Sequence, residues 1–242
     1  MSAPNGDLAA EIATLGALAD RHGSDKGFGV GLMHGYVRVY AGALRQLRDR
    51  PLKLLEIGLS IARDGVTCPS LAMWADWLPQ ADIVGIDIQD FSAFSHERCR
   101  TAVVDQTDRA ALAAFAKSEG PFDIIVDDGA HLSDAQQASF FALFPFLKHG
   151  GLYFIEDLHF QPPSEPADAI KTRALFQAWR TGLRPDALSR LAARHGLSRA
   201  EAAATLAEIG FLQFFDSLAP DRPAGQMADA LLLIQKGRPA AS

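Results

Sequence analysis

Apolar residues along the chain recur at two different spacings, and each spacing predicts a different kind of element. Over residues 7–21, leucine and isoleucine return every three or four positions, which predicts an amphipathic helix. Residues 22–36 are rich in glycine and lack this periodicity, so they predict a loop, and a second helix is predicted from residue 36 to about residue 48. The chain therefore begins with two helices joined by a glycine-rich loop.

Short apolar runs of strand length come next and alternate with helical stretches. The predicted strands are residues 52–57, 83–87, 102–105, 122–127 and 152–156. The predicted helices between them include residues 69–78, 108–117 and 134–147. Continuous apolar strands that alternate with helices indicate a parallel sheet that is covered on both faces.

The end of the chain follows a different order. Two strand-like runs, 211–215 and 230–235, are separated only by a loop over 217–227, which predicts an antiparallel pair at the edge of the sheet. Five parallel strands closed by a hairpin form the Rossmann-like arrangement of class I S-adenosylmethionine (SAM) methyltransferases rather than that of dinucleotide dehydrogenases. We therefore predict an α/β fold with a mostly parallel, seven-stranded sheet.

We interpret residues 1–242 as one domain with an insertion. Residues 1–50 supply the N-terminal helices and an active-site loop, residues 51–160 the core, and residues 209–242 the terminal hairpin. Residues 162–208 lack any strand signal and predict a helical insertion, in which Ser198 and Glu201 have the spacing of a capping box.

Composition and charge narrow the classes of partner. Hydrophobic residues make up 48% of the chain and charged residues 21%, which is an ordinary balance for a soluble, folded protein. The formal charge of −6 gives no general attraction to phosphate backbones, so we do not expect a nucleic-acid partner. Cys68 and Cys99 are too few for a disulfide framework or a zinc cluster, and we expect reduced thiols.

The N-terminal residues are acidic, and no apolar run approaches the ~20 residues of a membrane span, so we expect neither a signal peptide nor a membrane partner. A cytoplasmic location is the expectation. The sequence leaves open whether the chain forms a homo-oligomer.

Polar residues follow the first three predicted strands, where open parallel sheets bind their ligands. Gly58 follows the first strand, Asp87 ends the second, and Asp105 and Gln106 end the third. A glycine allows close approach of backbone to a ligand, a carboxylate in the place of Asp87 can accept hydrogen bonds from a ribose, and the third pair can meet an adenine edge. Each acidic residue alone is explained equally well as a helix cap, but the three ends together favour a nucleoside-type ligand.

Acidic residues also end the fourth and fifth strands. Asp127 and Asp128 are followed closely by His131, and Glu156 and Asp157 end the neighbouring strand. Carboxylates that lie close together without a positive partner repel each other. A divalent cation with oxygen ligands, Mg²⁺ or Mn²⁺, would neutralise their charge, so we predict such an ion here.

Histidine is the side chain best suited to accept a proton near neutral pH, so we predict His131 to be a general base. Ser133 and Gln136 have capping-box spacing and are interpreted as structural. For His159 the sequence leaves two roles open, in the substrate pocket or in an ordinary loop.

The motifs together resemble those of the metal-dependent sugar O-methyltransferases of the mycinamicin type. The similarity spans roughly residues 20–160 and comprises Gly23–Gly27 (GSDKG), His34, Tyr36 and Tyr40, Leu55–Gly58 (LEIG), Asp127–His131 (DDGAH) and Ile155–Leu158 (IEDL). It implies SAM and Mg²⁺ as cofactors. It also implies that Asp128, Glu156 and Asp157 bind the metal, that His131 is the base, and that Asp127 lies near the SAM side. Glu56 and Gly58, at the end of the first strand, are predicted to bind the cofactor.

The resemblance further implies that the loop over 24–36, with Asp25, Lys26, His34 and Tyr36, folds over the active site. Three departures from the family pattern stand out. The loop from Gly58 to Gly65 is longer than usual, Ala130 replaces a serine, and residues 159–163 differ where the acceptor is expected to bind. The run Cys68–Trp74 is similar to enzymes that methylate mannose units of bacterial polysaccharides. The acceptor is therefore expected to be a small-molecule glycoside or a saccharide.

Two other enzyme classes are disfavoured by missing motifs. Nucleic-acid methyltransferases place an Asn/Asp-Pro-Pro-aromatic motif after the fourth strand, where this chain has DDGAH. Nicotinamide enzymes show a complete G-x-G-x-x-G at the first turn, which is absent. The remaining alternatives are a SAM- or metal-binding sensor without turnover and an O-methyltransferase of a hydroxyl that is not part of a sugar.

Overall fold

The computed structural model describes residues 7–29, 33–59, 65–160, 162–216, 218 and 230–237. The predicted first-turn loop at 60–64 and nearly all of the hairpin loop at 217–227 lie outside these residues. The helices are α1 (Leu8–His22), α2 (Val37–Leu44), α3 (Pro69–Trp77), α4 (Arg109–Glu119), α5 (Ser133–Leu143), α6 (Thr172–Thr181), α7 (Pro185–Arg194) and α8 (Arg199–Ala207). The strands are β1 (Leu52–Ile57), β2 (Ala81–Asp87), β3 (Cys99–Val103), β4 (Phe122–Asp127), β5 (Leu147–Ile155), β6 (Ile209–Asp216) and β7 (Ala230–Lys236).

The strands form one seven-stranded sheet in the order β3-β2-β1-β4-β5-β7-β6. The first five in this order pair in parallel, and β7 pairs antiparallel with both β5 and β6. The predicted fold, a mostly parallel sheet ending in an antiparallel pair, is confirmed. The strand order reverses direction between β1 and β4, and ligands bind beyond the carboxyl ends of the strands at such a point.

Helices cover both faces of the sheet, because successive strand residues point to opposite faces and both sets are apolar. On one face, α1, α2 and α3 pack over strand residues such as Leu54, Ile124 and Phe154. On the other face, α4 to α8 pack over residues such as Leu55 and Ile125. No helix in the described part of the chain has both the length and the apolar surface that a membrane crossing requires.

The predicted helical insertion is present as α6, α7 and α8, and it packs on the second face beside α5. The capping box at the start of α8 is confirmed, because Ser198 and Glu201 each accept the other's backbone N–H. Trp179 is turned into the insertion, where its indole N–H donates to the carbonyl of Leu206 at 3.1 Å. This bond joins α6 to α8, so Trp179 has a packing role within the insertion.

Several predicted boundaries were wrong for local reasons. Strand β3 begins and ends earlier than predicted, because it lies at the edge of the sheet and is only partly buried, which weakens its apolar signal. Helix α5 ends at Leu143 and gives way to a 3₁₀ turn, Phe144–Phe146, because Pro145 cannot continue an α-helix. The predicted capping box at Ser133 is also wrong, since Leu132 is the cap residue and the side chain of Ser133 makes no capping bond.

Candidate active site

The turns after β1 and β4 pass very close to each other, and Gly58 makes this approach possible. Gly58 has a φ of 85°. A Cβ atom at this position would lie 2.1 Å from the carbonyl oxygen of Asp128. Gly58 was predicted on the cofactor side, and the structure gives it a further reason to be glycine, because only a residue without a side chain allows this approach.

The carboxylates at the ends of β1, β4 and β5 do not all point the same way. Glu56 and Glu156 lie on the face covered by α1 to α3, where they contact Lys26 together with Asp128. Asp127 lies on the opposite face, where it accepts hydrogen bonds from Gln106 at 2.5 Å and Tyr153 at 3.4 Å. The prediction that Asp127 converges with the other acidic residues is therefore wrong, because adjacent strand residues alternate between faces.

The ammonium of Lys26 lies at the centre of this acidic group. The side chain is only 1% exposed, and its Nζ donates to Glu156 at 2.9 Å and to Asp128, and lies 3.4 Å from Glu56 Oε1. Burial alone would lower the pKa of Lys26, but the three carboxylates, Asp128 foremost, hold it well above its ordinary value. Lys26 was predicted in a loop that folds over the site, and in the structure its side chain is buried against the acidic residues.

The backbone explains how Lys26 reaches this position. Helix α1 ends at Gly23, whose left-handed conformation at a φ of 80° turns the chain back toward the sheet. The following residues then pair with the residues around the start of α2, through hydrogen bonds from His34 N to Asp25 O and from Val37 N to Lys26 O. Lys26 is thereby fixed between α1, α2 and the strand ends.

Two tyrosines, one just before α2 and one within it, bind the carboxylates that follow β5. Tyr36 donates to Asp157 Oδ1 at 2.6 Å, and Tyr40 donates to Glu156 Oε1. Burial first, and then the negative charge of the carboxylates, raises the pKa of both hydroxyls well above the ordinary value, so both remain donors. Tyr36, like Lys26, is therefore buried against the acidic residues.

Glu56 was predicted to bind the cofactor, but it is fully buried. Its Oε2 accepts the indole N–H of Trp74 at 3.1 Å, and among the described residues Oε1 has no hydrogen-bond partner. Burial raises the pKa of Glu56 to about 7. Its carboxylate faces Lys26 and has no exposed surface, so the structure does not present it to a bound cofactor.

A second set of donors consists of Asp128, His131 and Asp157, which we call the rim of the acidic cluster. One ligand atom each from Asp128, His131 and Asp157 lie within 4.8 Å of one another. The Nδ1 atom of His131 is buried and has no hydrogen-bond partner among the described residues. Two carboxylate oxygens and an imidazole nitrogen at this spacing fit a divalent cation. Both oxygens of Glu156, by contrast, are already engaged by Lys26 and Tyr40.

The residues predicted to meet SAM lie at the ends of β2 and β3. Asp87 accepts backbone N–H groups from Leu59 and Gln89, both at 2.9 Å. Asp105 closes a turn by accepting from Thr107 N and Oγ1, both at 2.7 Å. Gln106 joins this edge to β4, because its Nε2 donates to Asp127 and its Oε1 accepts from Ala130 N at 2.8 Å.

Burial raises the pKa of Asp127 to about 7. Together with its bond to Gln106, this burial makes Asp127 a support for the end of β3 rather than an exposed residue of the edge.

The remaining predicted residues surround the rim. The His34 ring lies 3.6 Å from Asp25 and 3.7 Å from Asp157 and stacks on Tyr36. Burial would raise the pKa of Asp25, but the hydrogen bond with His34 and the charge of Lys26 outweigh it and lower the pKa. The His159 ring lies 6.4 Å from that of His34, and its Nδ1 accepts from Ala230 N at 3.2 Å.

Sequence reasoning gave no role to two residues of the site, Tyr40 and Trp74. A signal was available for the first, because Tyr36 and Tyr40 are four residues apart and therefore point to the same side of a helix. Trp74 gave no comparable signal. Its contact with Glu56 exists only because α3 packs on the face to which Glu56 points.

No family model matches the chain, but individual proteins do. It is 39% identical over 149 residues to the 8-demethyl-8-(2-methoxy-alpha-L-rhamnosyl)-tetracenomycin-C 3'-O-methyltransferase of Streptomyces olivaceus, covering 60% of this chain and 36% of that protein. It is 38% identical over 149 residues to the mycinamicin VI 2''-O-methyltransferase of Micromonospora griseorubida, again covering 60% of this chain and 36% of that protein.

A solved structure extends the similarity to nearly the whole chain. The MycE methyltransferase of the mycinamycin biosynthetic pathway, in complex with Mg, SAH and mycinamycin VI, matches with a TM-score of 0.69 and 29% identity, over 93% of this chain and 55% of that chain. The predicted resemblance to sugar O-methyltransferases is confirmed. The chain has the class I methyltransferase fold, and it spans about half the length of the solved relative.

Proposed function

We propose that the chain is a SAM- and Mg²⁺-dependent O-methyltransferase that acts on a hydroxyl of a sugar. The observation that carries the proposal is the approach of Asp128, His131 and Asp157 at the carboxyl edge of a methyltransferase sheet. The similarity to enzymes named for the methylation of rhamnosyl and macrolide sugars supports the same reaction.

SAM supplies an electrophilic methyl group on a sulfonium when bound. We assign its binding to the edge formed by Gly58, Asp87 and Asp105, with Gln106 and Asp127 bracing that edge from below. The carboxylate of Asp87 still has lone pairs to accept ribose hydroxyls, because each of its oxygens receives one backbone N–H.

Mg²⁺, when bound, supplies positive charge that makes a neighbouring hydroxyl more acidic. We assign its binding to Asp128 and Asp157, with Glu156 close beside them. Carboxylate oxygens are the ligands that Mg²⁺ prefers, those of Asp128 and Asp157 lie within 4.8 Å of each other, and the MycE relative was solved with Mg.

His131 accepts the proton of the acceptor hydroxyl in this proposal. The oxygen forms a bond to the methyl carbon, the carbon–sulfur bond breaks, and the proton moves to the imidazole. The Nε2 atom lies 3.6 Å from Asp157 Oδ2, so a protonated ring would gain a favourable charge interaction. The side chain is 24% exposed, which leaves it accessible from the rim.

Transfer of radioactive methyl from labelled SAM to an acceptor tests the proposal. The assay pairs the protein with Mg²⁺ and rhamnosylated or macrolide glycosides, and calorimetry measures binding of SAM, SAH and NAD. Methylated glycoside that disappears in excess EDTA is the expected result. SAM binding without transfer to any hydroxyl would favour a sensor, and binding of NAD instead of SAM would overturn the assignment.

A further inference from the structure

The acidic cluster already contains a buried positive charge of its own, the ammonium of Lys26, which a simple metal site lacks. In such a site the cation neutralises the carboxylates, whereas here an ammonium 1% exposed already contacts three of them. Glu56 and Glu156 are almost completely buried as well. Buried charges of one sign are strongly unfavourable without a compensating charge, so Lys26 must contribute to the stability of the folded chain.

The position of Lys26 also affects any cation at the rim. Lys26 contacts Asp128, and Asp128 is one of the residues whose ligand atoms converge with those of His131 and Asp157. An ammonium that contacts a ligand residue repels a divalent cation bound to the same residue, and this repulsion is strong where water is excluded.

We propose that Lys26 is a built-in counter-ion of the site: it holds Asp128 and Glu156 in place when no metal is bound, and its charge limits how tightly a divalent cation binds beside them. Lys26 is thus a positioning residue. The part of the inference that concerns the metal rests on the proposed function.

The contacts of Lys26 exclude two simpler roles. A base that accepts a proton from substrate needs access to it, whereas Lys26 is enclosed by carboxylates, α1 and α2. A residue of a mobile cover would be exposed, whereas the side chain of Lys26 is 1% exposed and its backbone carbonyl accepts from Val37 N at 3.1 Å.

The test compares Lys26→Met with Lys53→Met. Methionine keeps most of the length of the side chain and removes the charge. Lys53 is a matched control because it also contacts carboxylates, Glu119 at 3.1 Å and Asp82 at 3.6 Å, near the start of β1 and so at the opposite edge of the sheet. Two quantities are measured: Tm in EDTA, and the Kd for Mn²⁺ by calorimetry.

We expect Lys26→Met to lower Tm in EDTA by about 10 °C, since removal of one partner leaves buried carboxylates uncompensated. We also expect it to bind Mn²⁺ at least about tenfold more tightly than the wild type and to regain most of the lost Tm when Mn²⁺ is added. Lys53→Met should shift neither the Mn²⁺ affinity nor the response of Tm to Mn²⁺.

Two results would overturn the proposal: Lys26→Met that melts in EDTA like Lys53→Met, or Lys26→Met that binds Mn²⁺ more weakly than the wild type. If the wild type and both variants bind no Mn²⁺, the metal requirement of the proposed function is lost, and Tm in EDTA alone decides the stabilising role of Lys26.

A double variant covers the case in which Lys26→Met does not fold. Glu56→Gln removes one of the buried charges that faces Lys26, so Lys26→Met/Glu56→Gln should be more stable than Lys26→Met alone. A double variant that is no more stable than the single one would count against the counter-ion role.

Discussion

His131 Nε2 lies 3.6 Å from Asp157 Oδ2, and both residues adopt a φ of 55°, in the left-handed region that side chains rarely occupy. Each residue follows the carboxyl end of its strand, and the unusual backbone of both turns brings the imidazole to the carboxylate. Such conformations cost about 1–3 kcal/mol each and persist where the surrounding structure fixes them. An ordinary loop rarely contains two such residues in contact, so this pair sets the rim apart.

Replacement of the proposed base gives the first prediction. His131→Ala should lower turnover by about 10²–10⁴-fold, the usual contribution of general base catalysis, and leave the affinity for SAM unchanged. Asp128→Asn should instead weaken Mg²⁺ binding and turnover together, because it alters a residue that we propose as a metal ligand. Turnover and calorimetry on both variants separate the two roles, and near-normal turnover of His131→Ala would remove it from the proton transfer.

The close approach of two turns gives the second prediction. In Gly58→Ala the new Cβ would lie 2.1 Å from the Asp128 carbonyl oxygen, at a φ of 85°. We expect a loss of several kcal/mol in the free energy of unfolding, measured by urea denaturation. Gly42→Ala is the matched control, because a Cβ there meets nothing within 4 Å inside α2, and alanine should stabilise that helix by about 0.5–1 kcal/mol. Similar destabilisation by both would contradict the steric explanation.

Asp127 gives a prediction about pH. Its pKa is raised by burial from 3.8 to about 7, so the folded protein holds this proton more tightly than the unfolded chain does. The contribution of Asp127 to stability is therefore greatest below about pH 4 and declines as the pH rises toward 7.

Asp127→Asn mimics the protonated form, so the variant should lack this decline. At pH 8 it should be more stable than the wild type by an amount on the order of a few kcal/mol. Urea denaturation from pH 5 to pH 8 measures the difference. Two curves that run parallel over this range would show that Asp127 does not titrate as described.

The attachment of the insertion gives the fourth prediction. Arg194 in α7 binds Asp134 in α5 through two hydrogen bonds of 2.5 and 2.6 Å and also binds Asp168 at 3.0 Å. Arg194→Ala should destabilise the protein by about 1–3 kcal/mol and increase hydrogen exchange in α7. Arg190→Ala is the control, since among the described residues Arg190 pairs with Asp186 alone, in a largely exposed contact, and its loss should change stability by less than about 0.5 kcal/mol. Equal effects of the two variants would argue against an anchoring role.

The sequence by itself determined the layout of the sheet and the chemical character of its carboxyl edge. The apolar strands, such as 122–127, and the helices between the strands were predicted from the spacing of their apolar residues, which depends only on local backbone geometry. Parallel strands end at one edge, so the order of the strands along the chain was enough to predict that the acidic residues after β4 and β5 lie near each other. The motifs DDGAH and IEDL added the resemblance to sugar O-methyltransferases.

Only the tertiary structure decided which of these side chains meet. Asp127 and Asp128 are adjacent in sequence, yet one binds Gln106 and the other binds Lys26, because they lie on opposite faces of the sheet. Lys26 is 102 residues from Asp128 and 130 from Glu156 along the chain, so no local pattern could reveal that its ammonium lies between them. The contact depends on how α1 and α2 pack against the sheet, which is fixed by long-range burial rather than by the residues nearby.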